Sequence, residues 1–285
     1  MSLIKAYIEL TKPRILAMVL VTAAMGFFLG GFGIPSVSLF LYSLLGIGLS
    51  SAGAGALNHY CERNSDALME RTKNRPIPTE VIQPNHALIY GILLSLLGFL
   101  TLALKVNLLT TTVVIITSLL YIFVYTPLKK ISWLNTLVGA IPGALPPIAG
   151  WTAVTNSINI EAWVLFWILF LWQHPHFYAI AWLYKDDYKR ANYQMLPVVE
   201  PDGKRMFRQI LWHSFLLIPV SLIPTLLGRS GSIYFVGTLI LGLTFFTISL
   251  VFCLKHTETN ARRLLLASVI YLPILLALVV WDIGF

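Results

Sequence analysis

The chain has 285 residues, of which 57% are hydrophobic and only 11% charged, with a formal charge of +8. Its mean hydropathy of +0.78 leaves too little polar surface to clothe a water-soluble body. These values exclude a soluble domain, and they point to an integral membrane protein.

Apolar runs of bilayer-spanning length recur along the whole sequence. They predict nine helices, at 15–34, 38–57, 87–104, 108–126, 134–154, 160–182, 210–227, 232–254 and 264–283. The runs are continuous rather than alternating, which argues against a barrel. The expected fold is therefore all-α, a nine-transmembrane-helix bundle in a single domain over 1–285. The opening stretch "MSLIKAYIELTKPRI" leads into the first span without a cleavage signature, so neither a signal peptide nor a transit sequence is expected.

Placing 1–14, 58–86, 127–133, 184–209 and 255–263 on one side gathers all the Lys and Arg except Lys105 and Arg229. By the positive-inside rule that side, with the N-terminus, is cytoplasmic. Cations alone suit anionic lipid, but every Asp and Glu except Glu161 and Asp282 shares the same face. Lipid attraction has no use for carboxylates. The active site is expected on this cytoplasmic side.

The second span leads into "NHYCERNSDALMERTKNRPIP", residues 58–78. Continued as helix, Asn58, Glu62 and Asp66 drift only about 40° per step and share one face over roughly 12 Å. Oxygen ligands of this kind suit Mg²⁺, which keeps waters and takes substrate phosphates to complete its shell. The pattern alone equally describes a solvated, ion-paired helix face. The preceding "SSAGAGAL" favours the functional reading, because small residues let helices approach and leave room beside the acids. Arg71, Lys73 and Arg75 then supply phosphate-binding groups, and Pro76 and Pro78 stop the helix. Metal plus cations on one rim spell a diphosphate site.

A second acidic patch, Asp186 and Asp187 among Lys185, Lys189 and Arg190, follows the sixth span and offers a second Mg²⁺ position. Two acid-led loops about 120 residues apart hint at two similar halves of four helices with a ninth added. Within the sixth span Pro175 should kink or loosen the helix, and its flanking His174 and His176 point to different faces. The many aromatics of that span could line a planar-ligand pocket, although interfacial belts and core packing are the stronger explanation. Cys61 and Cys253 lack the spacing of a metal or disulfide pair, and no nucleic-acid partner is expected.

At these residues the sequence resembles the protohaem IX farnesyltransferase (haem O synthase) family within the UbiA-type intramembrane prenyltransferases. The resemblance rests on "LTKPRI" at 11–16, the Asn58, Glu62, Asp66 helix with "MERTKNRP", "YTPLKK" at 125–130, "WQHPHF" at 172–177 and "DYKRANYQMLPVV" at 187–199. It implies nine helices, farnesyl diphosphate and haem B as substrates, and Mg²⁺. It further implies residence in a bacterial cytoplasmic (inner) membrane and a downstream consumer, a haem A synthase or a terminal oxidase. Residue by residue, it implies metal binding by Asn58, Glu62, Asp66 and Asp187 with Asp186 secondary. Arg71, Lys73, Arg75, Lys129, Lys130 and Lys189 would contact diphosphate, and His176 and Trp172 would bind or orient haem. Tyr121, Tyr125 and Tyr188 would shield the carbocation. Position 62 is Glu where many relatives have Asp, and Leu183 and Ala191 flank Asp187 where quinone prenyltransferases carry a second acid four residues away. Two rivals are a quinone-pathway aromatic prenyltransferase of the same fold and a transporter. The sixth-span motifs argue against the first, and acids at one face instead of mid-membrane argue against the second.

Overall fold

The computed structural model describes residues 2–282, so residue 283, the last of the predicted ninth span, lies outside the described residues. The described chain contains helices and turns and no strand. Nine helices among the described residues are long and apolar enough to cross a membrane. The chain divides into two compact units, 2–158 with Asp186–Gln194, and Asn159–Lys185 with the remainder from Met195. Five spans fall in the first unit and four in the second, where the spacing of the acidic loops suggested four and four with one added.

The first unit opens with a short helix the hydropathy reading did not include, α1 (Leu3–Leu10), capped by Ser2. Ala6 and Leu10 of this helix pack on Ala56, Ile77, Ile82 and Ala87 with Tyr7, Tyr60 and Tyr90, while its Leu3, Ile4 and Ile8 stay exposed. Lys12 takes a left-handed conformation (φ 53°) and turns the chain into α2 (Pro13–Gly31), where Pro13 suits the first helical turn. Next come α3 (Val37–Asp66) and α4 (Pro84–Lys105). These two pack closely because glycine and serine face each other: a Cβ on Gly98 would meet Ser50 N at 2.6 Å, and one on Gly53 would meet Gly91 O at 2.6 Å.

The fourth span is α5 (Leu108–Leu119), a π-helical turn (Leu120–Tyr125) and α6 (Thr126–Leu128). Thr126 N–H reaches back five residues to Tyr121 O, and Pro127 contributes no N–H to restore the tighter ladder. The fifth span is broken at Leu145 into α7 (Asn135–Ala144) and α8 (Pro146–Thr155), with Pro146 opening the second piece. The second unit holds α9 (Ile160–Leu183), and the short α10 (Lys185–Arg190) returns the chain to the first unit. After α11 (Leu196–Val199), α12 (Lys204–Leu226), α13 (Ser232–Lys255) and α14 (Glu258–Asp282) complete the second unit.

α9 runs on through Pro175 as one helix. It packs on α12 and α14, and hydroxyl pairs such as Ser214–Ser249 at 2.9 Å and Ser221–Tyr271 at 3.0 Å join the helices. The predicted seventh and ninth spans start about six residues too late, at 210 and 264. Lys204, Arg205 and Arg208 in the first two turns of one helix, and Glu258, Arg262 and Arg263 in those of the other, lower the hydropathy of segments that are nevertheless helical.

Candidate active site

α3 extends past the apolar run and ends at Asp66, so its last three turns carry Asn58, Glu62 and Asp66. All three are buried, at 0%, 6% and 0% exposure, which few solvated acidic helix faces would show. Each is held by a group from another segment of the first unit. Asn58 Nδ2 donates to Thr126 Oγ1 at 2.9 Å, at the end of the π-helical turn. Asn58 Oδ1 accepts from Lys12 Nζ, which also lies 3.3 Å from Tyr121 Oη. Glu62 Oε1 pairs with Lys129 Nζ at 2.6 Å. Asp66 accepts from Arg75 Nη1 at 2.8 Å on both carboxylate oxygens.

Lys12 went unassigned from sequence. Its motif "LTKPRI" marked the chain, but only the fold brings it 46 residues along to Asn58. Burial disfavours its ammonium form and lowers its pKa to about 7. Burial acts the same way on Lys129, but the Glu62 carboxylate together with Tyr125, Tyr121 and Tyr193 outweighs it and holds that pKa well above the ordinary value. Lys129 Nζ also sits 4.5 Å from the Tyr125 ring centroid and 5.7 Å from that of Tyr193, a second residue that sequence reasoning missed. The Tyr121 and Tyr125 rings lie 5.6 Å apart, tilted by 32°.

The segment after α3 is a chain of tight turns, with Met69, Ile77 and Ile82 buried as anchors. Asp187 organises its first turn. Its two carboxylate oxygens accept from the backbone N–H of Glu70 at 3.2 Å and of Arg71 at 3.3 Å, and Arg190 pairs with it. Burial pushes the Asp187 carboxyl up, but the two backbone N–H groups and the guanidinium outweigh that and hold it below the ordinary carboxylate value. Asp187 was expected to join the α3 acids on metal; here its oxygens are turned to the loop backbone. Asp186 is exposed, and among the described residues no three His, Cys, Asp or Glu side chains gather as a ready metal cluster. The reason is the pairing itself: each buried acid faces a cation or an N–H group.

Arg71 is exposed and reaches Tyr188 Oη at 3.3 Å, with its guanidinium 5.6 Å from that ring. Lys73, Lys130 and Lys189 are exposed, and Lys73 pairs with Glu70. Trp172 and His176 lie in the second unit, where both are tied to Ser268 of α14.

The donor set tests whether Mg²⁺ is chemically suited to α3. Asn58, Glu62 and Asp66 offer oxygen only, on successive turns of one face, with no sulfur or imidazole partner that would favour a softer metal. The set fits the ion.

Comparison with known proteins identifies the family. The description "UbiA prenyltransferase family" matches residues 19–276, across both units. The chain belongs to the UbiA prenyltransferase family. Within that family it is 46% identical to "Protoheme IX farnesyltransferase" of Solibacter usitatus (strain Ellin6076), over 97% of this chain and 98% of the relative. Among solved structures of the fold, digeranylgeranylglyceryl phosphate synthase aligns with a TM-score of 0.82 at 17% identity, covering 99% of each chain. A UbiA homologue from Archaeoglobus fulgidus bound to DMAPP and Mg²⁺ aligns with a TM-score of 0.67 at 17% identity, over 96% of this chain and 99% of that one. The chain is thus a multi-pass membrane prenyltransferase of the UbiA family with protohaem farnesyltransferases among its relatives.

Proposed function

We propose that this chain transfers the farnesyl group of farnesyl diphosphate to a vinyl group of haem B, with addition of water, to make haem O. The observation that carries the reading is the convergence on the α3 face of Asn58, Glu62 and Asp66 with Lys12, Arg75 and Lys129. Near-full-length similarity to protohaem farnesyltransferases supports haem over an aromatic quinone precursor as acceptor. The structural neighbour with DMAPP and Mg²⁺ supports a prenyl diphosphate and a divalent ion.

Asn58, Glu62 and Asp66 would hold Mg²⁺, which on binding supplies charge neutralisation to the diphosphate and a better leaving group. Lys12, Arg75 and Lys129 turn from their present partners toward the diphosphate oxygens, with Arg71, Lys73, Lys130 and Lys189 at the rim. Once turned and held on the bound diphosphate, these donors need little further reorganisation as the allylic C–O bond breaks. The ring faces of Tyr121 and Tyr125, already beside Lys129, shield the farnesyl cation, and Tyr188 guards its entrance. Asp187 keeps the 70–71 turn in place so that the cations stay aimed.

The terminal vinyl carbon bonds farnesyl C1, leaving positive charge on the carbon next to the porphyrin. Water adds there and loses a proton, and diphosphate departs. His176 and Trp172 orient the haem. The positive-inside distribution supports a cytoplasmic N-terminus and diphosphate site in a bacterial inner membrane, with the product passing to a haem A synthase or terminal oxidase. The test is incubation of membranes containing the protein with haem B, farnesyl diphosphate and Mg²⁺, with an EDTA control, and mass spectrometry of the pigment. Metal-dependent hydroxyethylfarnesyl haem is expected; unchanged haem from folded protein overturns the acceptor assignment.

A further inference from the structure

The "WQHPHF" motif names His176 but does not say which ring nitrogen carries its proton. Ser268 decides this. Its Oγ lies 2.6 Å from Leu265 O on its own helix and 2.7 Å from His176 Nδ1 across the α9–α14 contact. A carbonyl has no hydrogen to give, and two oxygens that close repel unless a hydrogen lies between them, so the single hydroxyl hydrogen points to Leu265 O. Ser268 Oγ therefore accepts from His176, and Nδ1 bears the proton. A neutral imidazole has only one such proton, so Nε2 is left with a free lone pair.

The same residue fixes the neighbouring ring. Trp172 Nε1 donates to the Ser268 backbone carbonyl at 2.9 Å, and the Trp172 and His176 rings stack at 5.1 Å with 21° between planes. One serine of α14 thus sets tautomer and ring angle for a half-buried histidine on α9. His174, two residues earlier, is built differently. It is fully buried, its Nδ1 bonds Phe170 O of its own helix at 2.7 Å, and its ring stacks on His213 at 3.8 Å. Among the described residues no hydrogen bond from another helix reaches its ring.

We infer that Ser268 is a positioning residue for haem: by accepting the Nδ1 proton it presents His176 Nε2 as an axial ligand to the haem iron. This rests on the reading of His176 as the haem-facing histidine. Metal-bound imidazoles regularly donate their other N–H to an oxygen acceptor, which orients the ring and strengthens the coordinating nitrogen. Ser268 supplies that acceptor without a charge, as suits a site among apolar helices.

The test titrates the full-length protein in lipid nanodiscs with ferric haem B, read by optical absorption and electron paramagnetic resonance without farnesyl diphosphate. Wild type is expected to give a histidine-ligated spectrum that His176→Ala loses and His174→Ala keeps. Ser268→Ala should weaken haem binding about five- to tenfold, the scale of one lost hydrogen bond, and shift the iron toward water ligation. Ser268→Thr keeps the hydroxyl and should restore the wild-type spectrum. If the alanine variant does not fold, Ser268→Cys, close in size but a weak acceptor, should move the spectrum the same way. Wild-type spectrum and affinity in a folded Ser268→Ala or Ser268→Cys variant overturn the inference, as does a histidine-ligated spectrum in His176→Ala. Because these spectra require no turnover, the expected pattern in a protein that makes no farnesylated haem would sustain the Ser268 inference and refute the proposed reaction.

Discussion

Replacing Asp187 by Asn separates a loop organiser from a metal ligand. The wild-type carboxylate accepts from the N–H of Glu70 and Arg71 at 3.2 and 3.3 Å and pairs with the half-exposed Arg190. Charge-assisted hydrogen bonds contribute about 1.5–3 kcal/mol at best, and these two are long, so about 1 kcal/mol each is appropriate. The Arg190 pair adds under about 1 kcal/mol because its guanidinium is exposed to water. In the amide, one N–H group faces an NH₂ instead of an oxygen and the charge is gone. The turn should then open roughly 5- to 30-fold more often, for a local loss of about 1–2 kcal/mol. Hydrogen exchange at the Glu70 and Arg71 amides measures this directly, alongside a Mg²⁺ titration of turnover. The expected result is faster exchange and a higher KM for the diphosphate with an unchanged Mg²⁺ midpoint. Unchanged exchange with a midpoint displaced as far as in Asp66→Asn would refute the assignment. The carboxyl pKa is depressed below 3.8, so this contribution is complete above that pH and is lost only as acid carries the pH through the folded-state value.

Asp66→Asn, which breaks the two-oxygen grip on Arg75, should insert normally but lower kcat/KM at least about 100-fold and raise the Mg²⁺ requirement, as measured by steady-state kinetics. Lys12, with a pKa of about 7, should be protonated below neutrality and lose its charge above it, so affinity for a farnesyl thiodiphosphate should fall as pH rises through about 7 and Lys12→Met should flatten that dependence. The same depression means the folded state holds fewer protons than the unfolded chain between about 7 and 10.5, so this lysine's destabilising contribution should fade as pH rises across that window. Gly98→Leu should destabilise the α3–α4 contact by several kcal/mol, seen as loss of thermal stability in detergent, because the new Cβ alone would lie 2.6 Å from the Ser50 backbone nitrogen.

The spans were legible in the sequence because bilayer thickness imposes a length on apolar runs, and the α3 acids were legible because four-residue spacing places them on one helix face. Helix starts at Lys204 and Glu258 were not, since charged first turns are helical without being apolar. α1 is too short for a hydropathy window, and its burial depends on Ile77 and Ile82 far along the chain. At the site, sequence grouped residues by type. It put Asp187 with the metal acids, although that carboxylate meets two backbone N–H groups that no motif displays. It left Lys12 unassigned because the contact to Asn58 exists only once α2 and α3 are side by side. Ser268 sits in an ordinary apolar helix and has no local signature at all; only its 92-residue separation closed by the fold reveals it.

The most direct test of the diphosphate clamp is a crystal structure with Mn²⁺ in place of Mg²⁺ and an unreactive farnesyl thiodiphosphate, with the metal located by anomalous scattering. The account predicts metal density against Asn58, Glu62 and Asp66, with Lys12, Arg75 and Lys129 turned onto the diphosphate oxygens. Metal held by Asp186 and Asp187 instead, with Glu62 still on Lys129 and Asp66 still on Arg75, would contradict it.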